Sequence, residues 1–155
     1  VVRYRLLAYG AILFLFLLLF YWLVRSPLVM NKSATARQPD PETLSNIKVT
    51  IVVRNRSSKP IKDLLISDVI PGIASLEQTL ELGTMKHHEV KHTQRGTKVV
   101  WKLPEIEAHE HRLITYKVQA KLNILGKIRL PRASVEFKRH GLKRKAYSNA
   151  FWLGA

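Results

Sequence analysis

Residues Leu6 to Val24 read LLAYGAILFLFLLLFYWLV and carry no charge. An uncharged apolar run of about 18 or more residues is long enough to cross a bilayer as a helix, at ~1.5 Å per residue. Arg3 and Arg5 bound the run on one side and Arg25 on the other. Tyr4 and Tyr9 lie near the first boundary and Tyr21 and Trp22 at the second, where amphipathic rings prefer to sit. The rest of the chain is too small to surround a helix that is apolar on every face, which argues against a buried core helix. A cleaved signal peptide would carry a shorter apolar region, about 7–15 residues, and then a small-residue cleavage site. Tyr21-Trp22-Leu23-Val24-Arg25 is a poor site of that kind. The expectation is a retained single-pass anchor over residues 1–25, with Leu6, Leu13, Leu18 and Val24 inside the bilayer. The chain opens on Val rather than Met, which leaves room for residues before Val1 and equally beyond Ala155.

The remainder contains no cysteine, so neither a disulfide framework nor a thiolate metal site can hold it together. It must stand on an apolar core. Residues 26–46 hold Pro27, Pro39 and Pro41 among small and polar residues, and are read as an extended linker. At Ile47 the pattern changes to period two: Ile47, Val49, Ile51 and Val53 alternate with Lys48, Thr50, Val52 and Arg54. Such alternation, rich in β-branched residues, marks a strand with one buried face. A second strand is expected over 61–69, its alternation slipping near Leu64-Leu65 as at a bulge or an edge. Further strands are expected over 75–82, 98–103, 112–121, 127–138 (edged or broken at Pro131) and 147–153, with a long polar hairpin from Gly83 to Gly96. About seven short strands with turns every 8–12 residues predict an all-β domain over 47–153, an antiparallel β-sandwich of immunoglobulin type preceded by one transmembrane helix.

Two stretches resemble a known family. IKVTIVVRNRSSKPIKDLLISDVIPGI, residues 47–73, resembles the opening of a repeat domain of unknown function found in archaeal and bacterial surface proteins. That family shows a strand, an Asn-containing turn, then a strand ending in an Asp-x-hydrophobic-Pro element followed by Gly, here Asp68-Val-Ile-Pro71-Gly72. VVWKLPEIEAHEHRLITYKVQA, residues 99–120, resembles the family's later half with its Trp strand. The pattern is also similar to the lumenal domain of the translocon-associated protein beta subunit family, whose anchor follows the domain instead of preceding it. The resemblance spans roughly residues 46–151. It implies an immunoglobulin-like fold and a non-enzymatic structural or assembly module facing the cell envelope. A second reading is an accessory subunit of a membrane complex, such as a protein translocon or a membrane enzyme.

Catalytic and metal signals are weak. His87, His88, His92, His109 and His111 match no closed metal-site spacing and fall in predicted loops. Glu105, Glu107 and Glu110 read as a charged loop. No Ser/His/Asp arrangement or phosphate-binding glycine loop stands out, so neither catalytic residues nor a cofactor are expected. Asn31-Lys-Ser33 and Asn55-Arg-Ser57 match the glycosylation acceptor pattern, Asn55 in a turn predicted to be exposed.

The net charge is +15. Its densest part is 127–145, where Lys127, Arg129, Arg132, Lys138, Arg139, Lys143, Arg144 and Lys145 face Glu136 alone. Such an excess attracts anionic lipid or an acidic subunit. Arg139, Lys143, Arg144 and Lys145 are the expected contacts. Nucleic acid is not expected, because aromatic residues are sparse on the basic stretch. Arg3 and Arg5 before the helix against Arg25, Lys32 and Arg37 after it lean toward a cytoplasmic domain. The family resemblance points outward, and the expectation is a single-pass membrane protein with its soluble domain extracytoplasmic.

Overall fold

The computed structural model describes residues 2–36, 45–72, 74–76, 85, 87–120, 128–139 and 141–153. Helix α1 (Val2–Val24) has 23 residues, and from Tyr4 to Val24 it is long and apolar enough to cross a membrane. Its apolar side chains are exposed all round, as lipid contact would require. Eleven strands follow among the described residues: β1 (Leu28–Ala36), β2 (Ser45–Asn55), β3 (Ile61–Pro71), β4 (Ala74–Leu76), β5 (Glu89–Thr93), β6 (Gly96–Ile106), β7 (His111–Ala120), β8 (Ile128–Leu130), β9 (Ser134–Arg139), β10 (Leu142–Tyr147) and β11 (Phe151–Leu153). They form a four-stranded sheet in the order β1-β2-β7-β4, a five-stranded sheet in the order β10-β9-β3-β6-β5, and the pair β8-β11, with every pairing antiparallel.

Period-two patterning explains why the two larger sheets share one core. In the first sheet Leu28 and Met30 of β1, Ile47, Val49, Ile51 and Val53 of β2, and Ile114, Tyr116 and Val118 of β7 are buried. In the second, Leu64, Ile66 and Ile70 of β3, Val99, Trp101, Leu103 and Ile106 of β6, and Val135 and Phe137 of β9 join the same cluster. Fully burying a Val, Leu or Ile side chain contributes roughly 1.5–3 kcal/mol, and this core replaces the absent disulfides. The Trp101 and Tyr116 rings meet across it with centroids 5.4 Å apart.

Three sequence expectations need correction. The stretch read as a linker contains β1, paired with β2 in unbroken register from Leu28↔Asn55 to Ala36↔Ile47. Its small and polar residues hid an alternation in which Leu28, Met30 and Lys32 are buried. Only Arg25, Ser26 and Pro27 therefore separate α1 from the first sheet, while residues 37–44 lie outside the described ones. The irregularity in the second strand is not an edge, because β3 is the central strand of five. It arises at Asp63, whose φ of 54° shifts the inward parity from Ile61 to Leu64, matched on β6 by the step from Ile106 to Leu103. Pro131 does break its strand, separating β8 from β9. The predicted hairpin over 83–96 contains β5, paired with β6; of the strand expected over 75–82, residues 77–82 lie outside the described ones. Gly96 opens β6 at φ +128°, where a Cβ would fall 2.0 Å from the Ile70 carbonyl oxygen.

Candidate functional site: a buried ion pair and a basic end

Asp68 shares the inward parity of Leu64, Ile66 and Ile70, so its carboxylate is buried between the sheets. An isolated carboxylate there would be strongly disfavoured. Lys32, on the inward face of β1, answers it: its Nζ lies 2.7 Å from Oδ1 and 2.6 Å from Oδ2, with both side chains almost fully buried. The ammonium also donates to the Pro131 carbonyl at 2.9 Å. Asp68 accepts further bonds from the Tyr116 hydroxyl at 2.5 Å and from the Val69 amide at 2.8 Å. Burial, and then the charge of Asp68, push the Tyr116 phenol well above its ordinary pKa, so it stays a proton donor. The cluster joins β1, β3 and β7 across the two sheets. Asn149 completes it from outside: its side-chain oxygen accepts from the Lys32 amide at 2.7 Å and its amide nitrogen donates to the Lys32 carbonyl at 3.0 Å. One side chain thus satisfies the backbone at the outer edge of β1.

The second constellation lies at one end of the sheets. Leu28 pairs with Asn55, Arg54 with His111, Ile61 with Ile106, and Leu142 with Arg139. The β3–β9 register, extended from Leu65↔Glu136, brings Arg139 level with Lys62. The turn 56–60, the loop 107–110 and the tip of the β9–β10 hairpin thus gather where α1 feeds into β1. Asn55 ties them together. Its Nδ2 donates to the carbonyls of Lys59 at 2.8 Å and Glu107 at 2.9 Å, with Ile106 farther at 3.4 Å, while its Oδ1 accepts from the amide and hydroxyl of Ser57. The Arg56 amide donates to the Pro27 carbonyl at 2.7 Å, fastening the turn to the start of β1. Asn55 was expected in an exposed turn; it is 0% exposed, with its nitrogen donating to the Lys59 and Glu107 carbonyls. Asn31 is exposed on β1.

An open groove of about 490 Å³ lies at this end, between Pro27, the turn 57–62 and residues 137–139. Lys59, Lys62, Lys138 and Arg139 line it, with no carboxylate among the lining residues. Lys62 makes a long pair with Glu105 at 3.7 Å; among the described residues no carboxylate pairs with Lys59, Lys138 or Arg139.

The four predicted contacts are near one another but not on one face. Arg139 lies at the basic end. Lys143, Arg144 and Lys145 fall within β10, an edge strand, not at a loop tip. Lys143 and Lys145 oppose Lys138 and Glu136, whereas Arg144 opposes Phe137 on the inward parity. Lys145 pairs with Glu136 at 3.0 Å and lies 5.7 Å from the Tyr147 ring centroid. The hydrogen bond and charge between them hold the Glu136 carboxyl below its ordinary pKa and the Lys145 ammonium above. Leu6, Leu13, Leu18 and Val24 are all exposed on α1.

His88, His92, His109 and His111 are exposed and His87 is half-buried. Among the described residues no three His, Asp or Glu side chains are grouped to hold a metal. Glu107, Glu110 and Glu105 are engaged locally: the Glu107 amide donates to Glu110, which also pairs with Arg112, and Glu105 faces Lys62.

From the sequence Lys32 counted only as a charge flanking the helix, and Asn149 carried no signal. The signal for Lys32 was Asp68 itself, a carboxylate in register with three buried aliphatics and needing a cation.

No protein-family model matches the sequence, and no curated protein matches it. Among solved structures the chain is similar to a GH20 exo-β-N-acetylglucosaminidase from Vibrio harveyi, at 10% identity and TM-score 0.45, covering 80% of this chain and 18% of that one. It is also similar to the yeast delta-COP-I mu-homology domain, at 17% identity and TM-score 0.42, covering 72% of this chain and 39% of that one. A GH18 chitinase from Chromobacterium violaceum aligns at 17% identity and TM-score 0.31, over 79% of this chain and 19% of that one. The chain therefore spans less than two-fifths of each neighbour. Likenesses this distant carry no argument for catalysis or for a partner.

Proposed function

We infer that this chain is a single-pass membrane protein whose immunoglobulin-like β-sandwich acts as a non-catalytic structural or assembly module on the envelope-facing side. The observation that supports the reading most is the three-residue connection from α1 to β1. A bilayer-spanning helix joined so directly to an edge strand holds the domain at the membrane surface. The core is made of buried apolar side chains from both sheets, and the buried polar groups of the Lys32 cluster are spent on one another, which fits a scaffold better than a reaction centre. The resemblance to surface-protein repeats supports the outward orientation.

Protease digestion of sealed, right-side-out vesicles tests it. The domain should be accessible without permeabilisation, and protection until the vesicles are opened would place it in the cytoplasm.

A second reading, an accessory subunit of a membrane complex such as a translocon or a membrane enzyme, is favoured by one observation. Tyr147 and Trp152 are each 59% exposed, with Lys145 and Arg129 respectively beside their rings. Exposed aromatics flanked by cations are common anchors in protein interfaces. Purification in mild detergent distinguishes the readings: a constant heterologous companion supports the subunit, and a chain that runs alone opposes it.

A further inference from the structure

We propose that the groove beside Pro27 is a binding site for the phosphate headgroup of an anionic phospholipid. The proposal rests on the membrane-anchored reading above and adds to it a defined site. Pro27 lies three residues after Val24. At ~3.6 Å per residue it can be no farther than about 11 Å from the end of the apolar helix, whatever the tilt of α1. The headgroup layer extends several ångströms beyond the hydrocarbon core, so a groove walled by Pro27 opens within or next to that layer.

The chemistry of the walls selects an anion. Lys59, Lys62, Lys138 and Arg139 converge from two segments, and no carboxylate lines the groove. Lys62 is shared with Glu105, but both side chains are well exposed and their separation is 3.7 Å, so an incoming phosphate can compete for the ammonium. Arg139 offers a planar donor fork suited to phosphate oxygens, and the lysines add point charge. Pro27 and Phe137 supply apolar wall for the glycerol end of a lipid. Nearby, Leu142 at the hairpin turn is 64% exposed, able to enter the interface. The site is preorganised: Asn55 fixes the turn bearing Lys59, and the Arg56–Pro27 hydrogen bond fixes that turn against the tether. The groove falls in the usual size range of ligand sites, roughly 300–1,000 Å³.

The test uses the full chain in nanodiscs. The sequence has no cysteine, so Ser58→Cys at the groove and Gln94→Cys in the distant β5–β6 turn can each carry a single fluorophore. Quenching by headgroup-labelled lipid is compared in phosphatidylcholine discs and in discs containing phosphatidylglycerol, at low and high salt. At Ser58→Cys, phosphatidylglycerol should strengthen quenching about threefold or more at low salt, and Lys59→Gln/Lys138→Gln/Arg139→Gln should abolish that gain. The label at Gln94→Cys should show neither effect. If Ser58→Cys is quenched equally in both bilayers and the triple variant behaves alike, the groove is merely close to the membrane; the headgroup site is then overturned while the anchor reading survives. If neither label is quenched in any disc, the anchored reading itself fails. Inorganic phosphate is the remaining arm: protection of Ser58→Cys from a soluble quencher by phosphate in phosphatidylcholine discs, with no response to phosphatidylglycerol, would assign the site to a free anion and overturn the lipid.

Discussion

At the residue scale the Lys32–Asp68–Tyr116 cluster carries the largest single consequences. Removing one member of a buried ion pair leaves the other charged and unpaired, which costs about 3–5 kcal/mol, whereas replacing both with apolar groups of similar volume is often near neutral. Lys32→Met is therefore expected to destabilise the domain by about that amount, and Lys32→Met with Asp68→Leu by much less. Urea unfolding in mild detergent, followed by Trp101 fluorescence, measures both; a single variant as stable as the parent would show that the pair is not buried as described. Tyr116 gives a pH prediction. Its pKa is raised in the fold, mainly by burial and then by Asp68. Above about pH 10 the unfolded phenol ionises while the folded one keeps its proton. Stability from this source is complete below that pH and falls as pH rises toward the folded value. Tyr116→Phe should lower stability at pH 8 through the lost hydrogen bond and make the decline between pH 8 and 11 shallower. Equal slopes in the two proteins would remove Tyr116 as the cause. Asn55 supports a third prediction. Asn55→Ala leaves the Ser57 amide without its partner and takes one of two donors from each of the Lys59 and Glu107 carbonyls, costing about 1–3 kcal/mol. In a glycosylating host, mass spectrometry of the folded protein should find Asn55 unmodified; Asn31 is the exposed acceptor.

At the element scale β1 decides where the domain begins. It covers the edge of β2 from Ile47 to Asn55 and contributes Leu28, Met30 and Lys32 to the interior. A fragment of residues 26–155 is expected to fold with dispersed amide resonances. A fragment of 45–155 leaves the β2 edge unpaired and Asp68 without its cation, and is expected to aggregate or remain unfolded. If the shorter fragment folds equally well, β1 is an accessory strand. Lys32 also drops out of the charges available to a membrane surface, because its ammonium is held inside the domain. Among the described residues that flank α1 on the domain side, this leaves Arg25 as the exposed basic residue.

At the scale of the whole molecule, charge is distributed unevenly over the strands that follow α1. Lys143 and Lys145 project from the opposite face of β10 to Arg144, and the Lys145–Glu136 pair is well exposed, so it adds little to stability. Changing Arg139, Lys143, Arg144 and Lys145 together to Gln should shift stability by no more than about 0.5 kcal/mol. Cosedimentation of the 26–155 fragment with anionic vesicles should weaken and lose most of its salt dependence. Unchanged sedimentation at low salt would reduce the strand to a solvated edge.

The uncharged run from Leu6 to Val24 was decided by sequence alone, since nineteen consecutive uncharged, largely apolar residues have few ways to avoid water. The same holds for β2, β7 and the 99–103 stretch of β6, where buried residues recur every second position with β-branched and aromatic side chains. Local pattern sufficed there because each strand carries its own buried face. Tertiary structure decided β1, whose Asn, Lys, Ser and Thr give no strong strand signal and whose pairing comes entirely from β2. It also decided the roles of Lys32, Asp68 and Asn149, which are 36 and 117 residues from Lys32 along the chain and meet only when the sheets close. Asn55 looked like a turn residue but closes β2 just before the turn, and its burial depends on the loop 107–110 folding over it. The basic groove belongs to the same class: Lys59, Lys138 and Arg139 are ordinary surface cations in sequence, and antiparallel pairing brings them to the end of the domain that α1 enters.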